Sequence, residues 1–220
     1  AQQGIQGAVA QGSWHLTKKK QFRASEQDRP DVAEKRRAFL EWMKIVDFSR
    51  LVFIDETGCN IQLTPRYGWS VRGERLVDTR PMIRGKNLSV IGAIRRDRVL
   101  CHEKLEGALN SEKWLSFVER TLCPVLYPGD IVVLDNLPAH KNAEAIALIE
   151  AEGASVKFLP PYSPELNPIE MCWSFVKHIL RRLRERTLDG LRRGVWRALM
   201  RVTGRHLEAW FEACGFRQCN

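Results

Sequence analysis

The sequence has no apolar run approaching the length of a membrane span, and its first twenty residues lack the long apolar core of a secretory leader. A membrane-spanning or exported protein is not expected; a soluble, cytoplasmic one is. The six cysteines, Cys59, Cys101, Cys123, Cys172, Cys214 and Cys219, include no C-x-x-C pair, so neither a zinc knuckle nor a dithiol redox motif is indicated and reduced, structural thiols are expected. His15, His102, His178 and His206 show no metal-ligand spacing, and no internal repeat recurs. Acids are the minority charge, 26 Asp and Glu against 35 Lys and Arg. The net +9 makes polyanions, and nucleic acid first among them, the leading partner class while saying nothing about fold.

What is present suits one well-cored domain with a helical lead-in: 220 residues, of which 44% are hydrophobic. Residues 1–50 read as a linker remnant and lead-in helix, and residues 51–220 as the main domain with a basic helical C-terminus. Up to residue 24 no period is sustained, and the Lys18-Lys19-Lys20 run lies in a loop or in the tail of an upstream domain. A helix is expected from Asp31 to about Asp47, with Asp31 as its cap and Val32, Phe39, Met43 and Val46 as its apolar stripe.

Leu51-Val52-Phe53-Ile54-Asp55 is a short unbroken apolar run ending in an acid, the pattern of a strand buried on both faces. Tyr67–Val71, Leu88–Ile94 and Val99–His102 continue as strands in an antiparallel meander. After residue 111 the pattern becomes helix, strand, helix, strand. Trp114, Val118 and Leu122 form one face, Ile131–Asp135 is a second buried strand ending in Asp, residues 142–151 are helical and Val156–Leu159 extended. That alternation demands parallel pairing, so the fold class is α/β, a mixed sheet flanked by helices. Pro160-Pro161-Tyr162-Ser163-Pro164 is a stiff loop leading to Asn167-Pro168, a cap and first position for a long helix carrying Ile169, Trp173, Val176, Leu180 and Leu183 on one side. Trp69 and Trp173 are expected in the core.

Asp55 and Asp135 each close a buried strand, and open α/β sheets bind ligands at the carboxyl ends of strands. Glu170 arrives from the first turn of the helix after the proline loop. Carboxylates gathered together repel unless cations neutralise them, and hard oxygen donors suit Mg²⁺ or Mn²⁺. A pair of such ions supports in-line phosphoryl displacement without a cysteine, serine or histidine nucleophile. Ser174, Lys177, Arg181 and Arg184 follow Glu170 at helical spacing and offer a basic face to a nucleic-acid backbone. His140 and Lys141 either touch phosphate or form a solvated helix start.

Val52-Phe53-Ile54-Asp55-Glu56-Thr57, Val133-Leu134-Asp135-Asn136 with Ala139-His140-Lys141, and Leu159-Pro160-Pro161-Tyr162-Ser163-Pro164-Glu165-Leu166-Asn167-Pro168-Ile169-Glu170 with Trp173 together resemble the DDE endonuclease domain of mariner-superfamily transposases, most of all their bacterial insertion-sequence branch. Residues 23–30 resemble the linker that precedes it. The resemblance implies an RNase H-like fold and an acidic triad of Asp55, Asp135 and Glu170 holding two Mg²⁺ ions, with Mn²⁺ able to substitute. It also implies hydrolysis at transposon ends, strand transfer into target DNA, double-stranded DNA as partner, a homodimer on paired ends, and a nucleoid-associated location. Family members carry an upstream helix-turn-helix region for which too little sequence precedes Pro30, so autonomous transposition is not expected of this chain.

Two other readings compete: a non-catalytic DNA-binding remnant, and a stand-alone RNase H-like nuclease. Taken singly, a strand-end acid is more often a turn former than a catalyst, and Glu170, three residues after Asn167, has a capping role as its rival. Glu56 is expected to point away from Asp55, Asp130 sits at the wrong end of its strand, and Glu165 is expected to be exposed and idle. Asn136 either orients a water or caps the turn.

Overall fold

The structure, a computed structural model, describes residues 24–217 apart from 84 and 86. The loop expected before residue 24, with its lysine run, and Cys219 lie outside the described residues.

β1 (Leu51–Cys59) is the middle strand of five, in the order β3-β2-β1-β4-β5, with β2 at Leu88–Ile94, β3 at Val99–Glu106, β4 at Ile131–Leu134 and β5 at Ser155–Phe158. β1, β2 and β3 form the antiparallel meander, while β4 and β5 run parallel to β1. The helices are α1 (Pro30–Met43), α2 (Ser111–Phe117), α3 (Ala143–Ala151), α4 (Pro168–Leu183), α5 (Leu188–Leu199) and α6 (Gly204–Ala213). Side chains alternate across a strand, and β1 uses both faces. Leu51 and Phe53 enter the core beneath α1, α4, α5 and α6, whereas Val52 and Ile54 enter the one beneath α2 and α3. All four are fully buried, each contributing about 1.5–3 kcal/mol by leaving water.

Three expectations are corrected. First, Asp31 does not cap α1: the cap position is Arg29, Pro30 takes the first turn, and Asp31 pairs with Arg29 instead. The helix ends at Met43 because Asp47 caps a separate short turn through the Ser49 amide. Second, β1 does not stop at Asp55. It runs on to Cys59 because β2 pairs with it as far as Cys59↔Leu88, but its parallel pairing with β4 ends at Phe53↔Val133. Asp55 thus lies where the β4 side of the strand becomes free. Third, Tyr67–Val71 is not a strand. β2 and β4 occupy the two edges of β1, and the described residues between 60 and 87 make an irregular excursion that joins none of the five strands. Trp69, expected in the core, is 99% exposed. The excursion is tied down by Arg186, which donates to the Ile61 and Leu63 carbonyls, and by Arg184, which grips Asp78 with two nitrogens.

No described helix is long and apolar enough to cross a membrane. Among the described residues, five cysteines are free thiols, four of them buried.

Candidate active site

The order in which β1, β4 and α4 arrive at one sheet edge follows from local sequence. Asp135 is the first residue after β4, and its Oδ1 accepts the Leu137 amide at 2.9 Å, a side-chain turn that ends the strand. Asn136 donates to the Leu159 carbonyl at 2.5 Å, tying the end of β4 to the start of the proline loop, and it also lines the cavity that Asp55, Asp135 and Glu170 share. Trp173, buried as expected, rests on Gly92, where a Cβ would stand 2.9 Å from the indole. Gly92 is the cross-strand partner of Asp55. The missing side chain therefore lets α4 settle on the sheet beside Asp55, one turn after Glu170.

Asp55, Asp135 and Glu170 line a single cavity of about 470 Å³, walled by Leu137, Pro138 and the loop from Leu159 to Pro164. Asp55 is only 8% exposed. Burial first, then the nearby Glu170 and Glu56 carboxylates, push its acid up to about 8, against a stabilising hydrogen bond from the Glu56 amide. Asp135 goes the other way. Burial opposes its charge, but hydrogen bonds from His140 and the Leu137 amide, with Lys141 nearby, hold its carboxyl below the ordinary range. Glu170 is exposed in the first turn of α4, and the Asn167 side chain makes no capping bond, so the capping rival for Glu170 is not realised.

Glu56 lies on the opposite face of β1 from Asp55, as alternation requires, yet its influence is not remote. At the sheet edge its carboxylate reaches toward His140 and raises the Asp55 acid. Its own acid is raised, chiefly by burial. Asp130, at the far end of β4, is fully buried and paired with Arg95, a structural ion pair well away from the cavity.

Of the residues expected to meet DNA, two are corrected. His140 is fully buried, because Pro138 turns the chain inward and the ring packs on Trp114 with centroids 4.5 Å apart. It cannot reach a phosphate. Arg184 leaves the α4 face: it is the left-handed C-cap at φ 52°, and its guanidinium is held by Asp78. Lys141 is exposed beside Asp135. Lys177 and Arg181 stand near Cys59 at the end of β1, where their charge opposes the burial that pushes the thiol up to about 11.

The lead-in region reaches this site, a contribution with no signal in sequence spacing. Gln27 donates to the Tyr162 carbonyl at 2.6 Å, and Tyr162 holds a left-handed φ of 56°. Arg36 donates to the Ser163 hydroxyl and pairs with Glu165 at 2.6 Å. Glu165 is exposed but not idle.

Among the described residues no three His, Cys, Asp or Glu side chains stand close enough together to form a ready-made ion cage. The three carboxylates line one cavity without closing on a common point, as like charges do. Their chemistry nevertheless fits a hard divalent cation: oxygen donors only, one of them buried and driven toward its neutral form by its neighbours.

Known structures share this architecture. The Mos1 transposase paired-end complex with left transposon end aligns with a TM-score of 0.77 at 16% identity, over 91% of this chain and 63% of that one. The Mos1 strand transfer complex aligns at 0.75 and 18%, over 91% and 63%. The Mos1 catalytic domain with raltegravir and Mg aligns at 0.65 and 16%, over 88% of this chain and 94% of that one. The chain thus spans under two-thirds of the longer Mos1 chains, and shares with them the RNase H-like fold. No protein of curated function matches it in sequence. Residues 50–192, well over half of the chain, match the family model described as DDE superfamily endonuclease, and the chain belongs to that family.

Proposed function

We propose that this chain is the catalytic domain of a cut-and-paste DNA transposase of the mariner superfamily, in its bacterial insertion-sequence branch, hydrolysing a phosphodiester at a transposon end and joining the freed 3′-hydroxyl to target DNA. The observation that carries this reading is the shared cavity of Asp55, Asp135 and Glu170, in a chain of the DDE endonuclease family. Asp55, Asp135 and Glu170 are the residues that would hold two Mg²⁺ ions, with Mn²⁺ able to replace Mg²⁺. Bound there, such ions would activate the attacking oxygen and stabilise the leaving one. The protein's own share is positional. Asp135 is held ionised by its hydrogen bonds, Asp55 is buried against solvent, and the proline loop fixes the wall against which a backbone would lie. Paired-end complexes are among the Mos1 neighbours, and a homodimer on two ends is part of this reading.

The deciding experiment offers the chain a plasmid together with a 3′-labelled duplex of the terminal repeat flanking its reading frame, with Mg²⁺. Nicking that requires the cation, inefficient and poorly positioned without an upstream recognition region, and a small fraction of label joined covalently to the plasmid, are the expected products. Nicking without transfer would make it a stand-alone nuclease. Binding without either reaction, in Mg²⁺ and Mn²⁺ alike, would leave a DNA-binding remnant.

Lys141, Lys177 and Arg181 are the proposed contacts to the DNA backbone. Replacing Lys177 and Arg181 by Ala should weaken binding to all duplexes alike and reduce the log–log salt slope by about 1.8, at about 0.9 per lost phosphate contact. Arg184→Ala, which releases only Asp78, should leave the slope where it was. An unchanged slope in the double variant would return the row to solvent.

A further inference from the structure

His140 is a polar ring in a place that offers it no water. It sits in the short turn Pro138–Lys141 at 0% exposure, against the face of Trp114. Its Nδ1 lies 2.6 Å from Oδ1 of Asp135, the same oxygen that accepts the Leu137 amide at 2.9 Å. At the other side of the ring, Nε2 is 3.8 Å from Oε2 of Glu56, and neither atom has a hydrogen-bond partner. Buried side-chain nitrogens are ordinarily hydrogen-bonded. This ring makes a short bond to a single carboxylate oxygen and leaves its far nitrogen unsatisfied, at a cost that the Asp135 contact has to offset.

The consequence falls on Asp135. A carboxylate has two oxygens and can rotate between them freely unless its partners choose one. Two donors converge on Oδ1, one from the backbone and one from an imidazole locked by packing. The rotamer is therefore set, and Oδ2 is the oxygen left without a protein partner. Charge-assisted bonds of this kind are stronger than neutral ones and directional.

We propose that His140 is the positioning residue of Asp135: its Nδ1–H, with the Leu137 amide, holds Oδ1 so that Oδ2 is the oxygen presented to a divalent cation. This rests on reading Asp135 as a cation ligand. Hydrogen bonds from the protein to a ligating side chain orient it, and removing such a partner typically weakens metal binding by about 10–100-fold.

The two ends of the ring can be tested separately, because an Asn amide can stand near the place of Nδ1 and a Gln amide near that of Nε2. In His140→Gln, Mn²⁺ binding measured by calorimetry on the full chain should weaken by about 10–100-fold while thermal unfolding stays cooperative. In His140→Asn it should return to within about threefold of the parent. A structural role alone would not sort the two amides in this order. Equal affinity in His140→Gln and the parent, with Asp135→Asn impaired, would overturn the proposal. If Asp135→Asn itself binds Mn²⁺ as the parent does, the reading of Asp135 as a ligand fails instead. Should both His140 variants fail to fold, imidazole ¹⁵N NMR of the unmutated chain decides: a proton on Nδ1 is expected, and an Nε2–H tautomer, which cannot donate to Asp135, would overturn it.

Discussion

Asp55→Asn, Asp135→Asn and Glu170→Gln should each reduce Mg²⁺-dependent cleavage by about a thousandfold or more, roughly 4 kcal/mol of lost transition-state stabilisation, with the fold intact. Asp55 and Glu170 contribute charge to a shared cavity rather than contacts to the core, whereas Asp135 also bonds the Leu137 amide and the buried His140, so Asp135→Asn should cost a modest amount of stability. Each substitution keeps the shape of the side chain it replaces. For Asp55 the metal-free protein should if anything gain stability. A buried acid whose ionised form is opposed by Glu170 and Glu56 is replaced by a neutral amide of the same size. For Glu170 no loss of melting temperature is expected, because its side chain is exposed and Asn167 makes no side-chain cap beside it. Cleavage assays paired with thermal unfolding of the metal-free variants separate the outcomes. Undiminished cleavage removes that residue from the triad, and a large drop in melting temperature assigns it a structural task.

The affinity of the site for Mg²⁺ should climb with pH and level off near pH 8. Asp55 is raised to about 8 in the folded chain, against about 3.9 for an unperturbed Asp, so between these values the folded state holds a proton that the unfolded state has released. The stability this contributes is complete below the unfolded value and is lost as pH rises through the folded one. The metal-free chain should therefore weaken from about pH 4 to about pH 8 relative to Asp55→Asn. A cation must displace the same proton, so its affinity should rise about tenfold per pH unit below 8, or about a hundredfold from pH 6 to pH 8. Asp135, held below the ordinary range, is already ionised there and adds no slope. Mn²⁺ calorimetry in buffers of different ionisation enthalpy reads both the affinity and the proton released. A pH-independent affinity, or binding without proton release, would mean that Asp55 is ionised before the metal arrives.

The two strands that carry the acids were legible because both faces of a central strand are filled, which writes an unbroken apolar run into the chain. Leu51–Ile54 and Ile131–Leu134 are such runs, and both are strands buried in the sheet. The start of α4 was legible for a different local reason: Pro160, Pro161, Pro164 and Pro168 restrict the backbone before any tertiary contact forms. Tyr67–Val71 misled because an apolar, aromatic stretch reads as a strand whether or not a sheet edge is free to receive it. The sequence shows the side chains but not their surroundings, and this stretch stays on the surface, with Tyr67 and Trp69 exposed, rather than joining the sheet.

The limits of the basic row have a similar origin. Helical spacing places Arg184 below Lys177 and Arg181, but the helix ends one residue earlier, and the guanidinium finds Asp78, 106 positions away. Glu165 was read as idle because its partner, Arg36, lies on the lead-in helix, far off in sequence. Glu56 points away from Asp55, as alternation along the strand predicts. What alternation does not convey is that His140 stands at the end of the sheet, within reach of acids on both faces.

The sequence by itself determined the α/β class, the two buried strands that carry Asp55 and Asp135, and the stiff loop that leads to Glu170. These rest on periodicity, backbone restriction and charge, which act over a few residues. Only the tertiary structure decided which oxygen of Asp135 is bonded, that Asp55 is buried deeply enough to favour its proton, that His140 faces inward, and that Gln27 and Arg36 brace the proline loop. Burial and hydrogen-bond choice depend on groups brought together from distant parts of the chain, and that juxtaposition exists only once the sheet has closed against its helices.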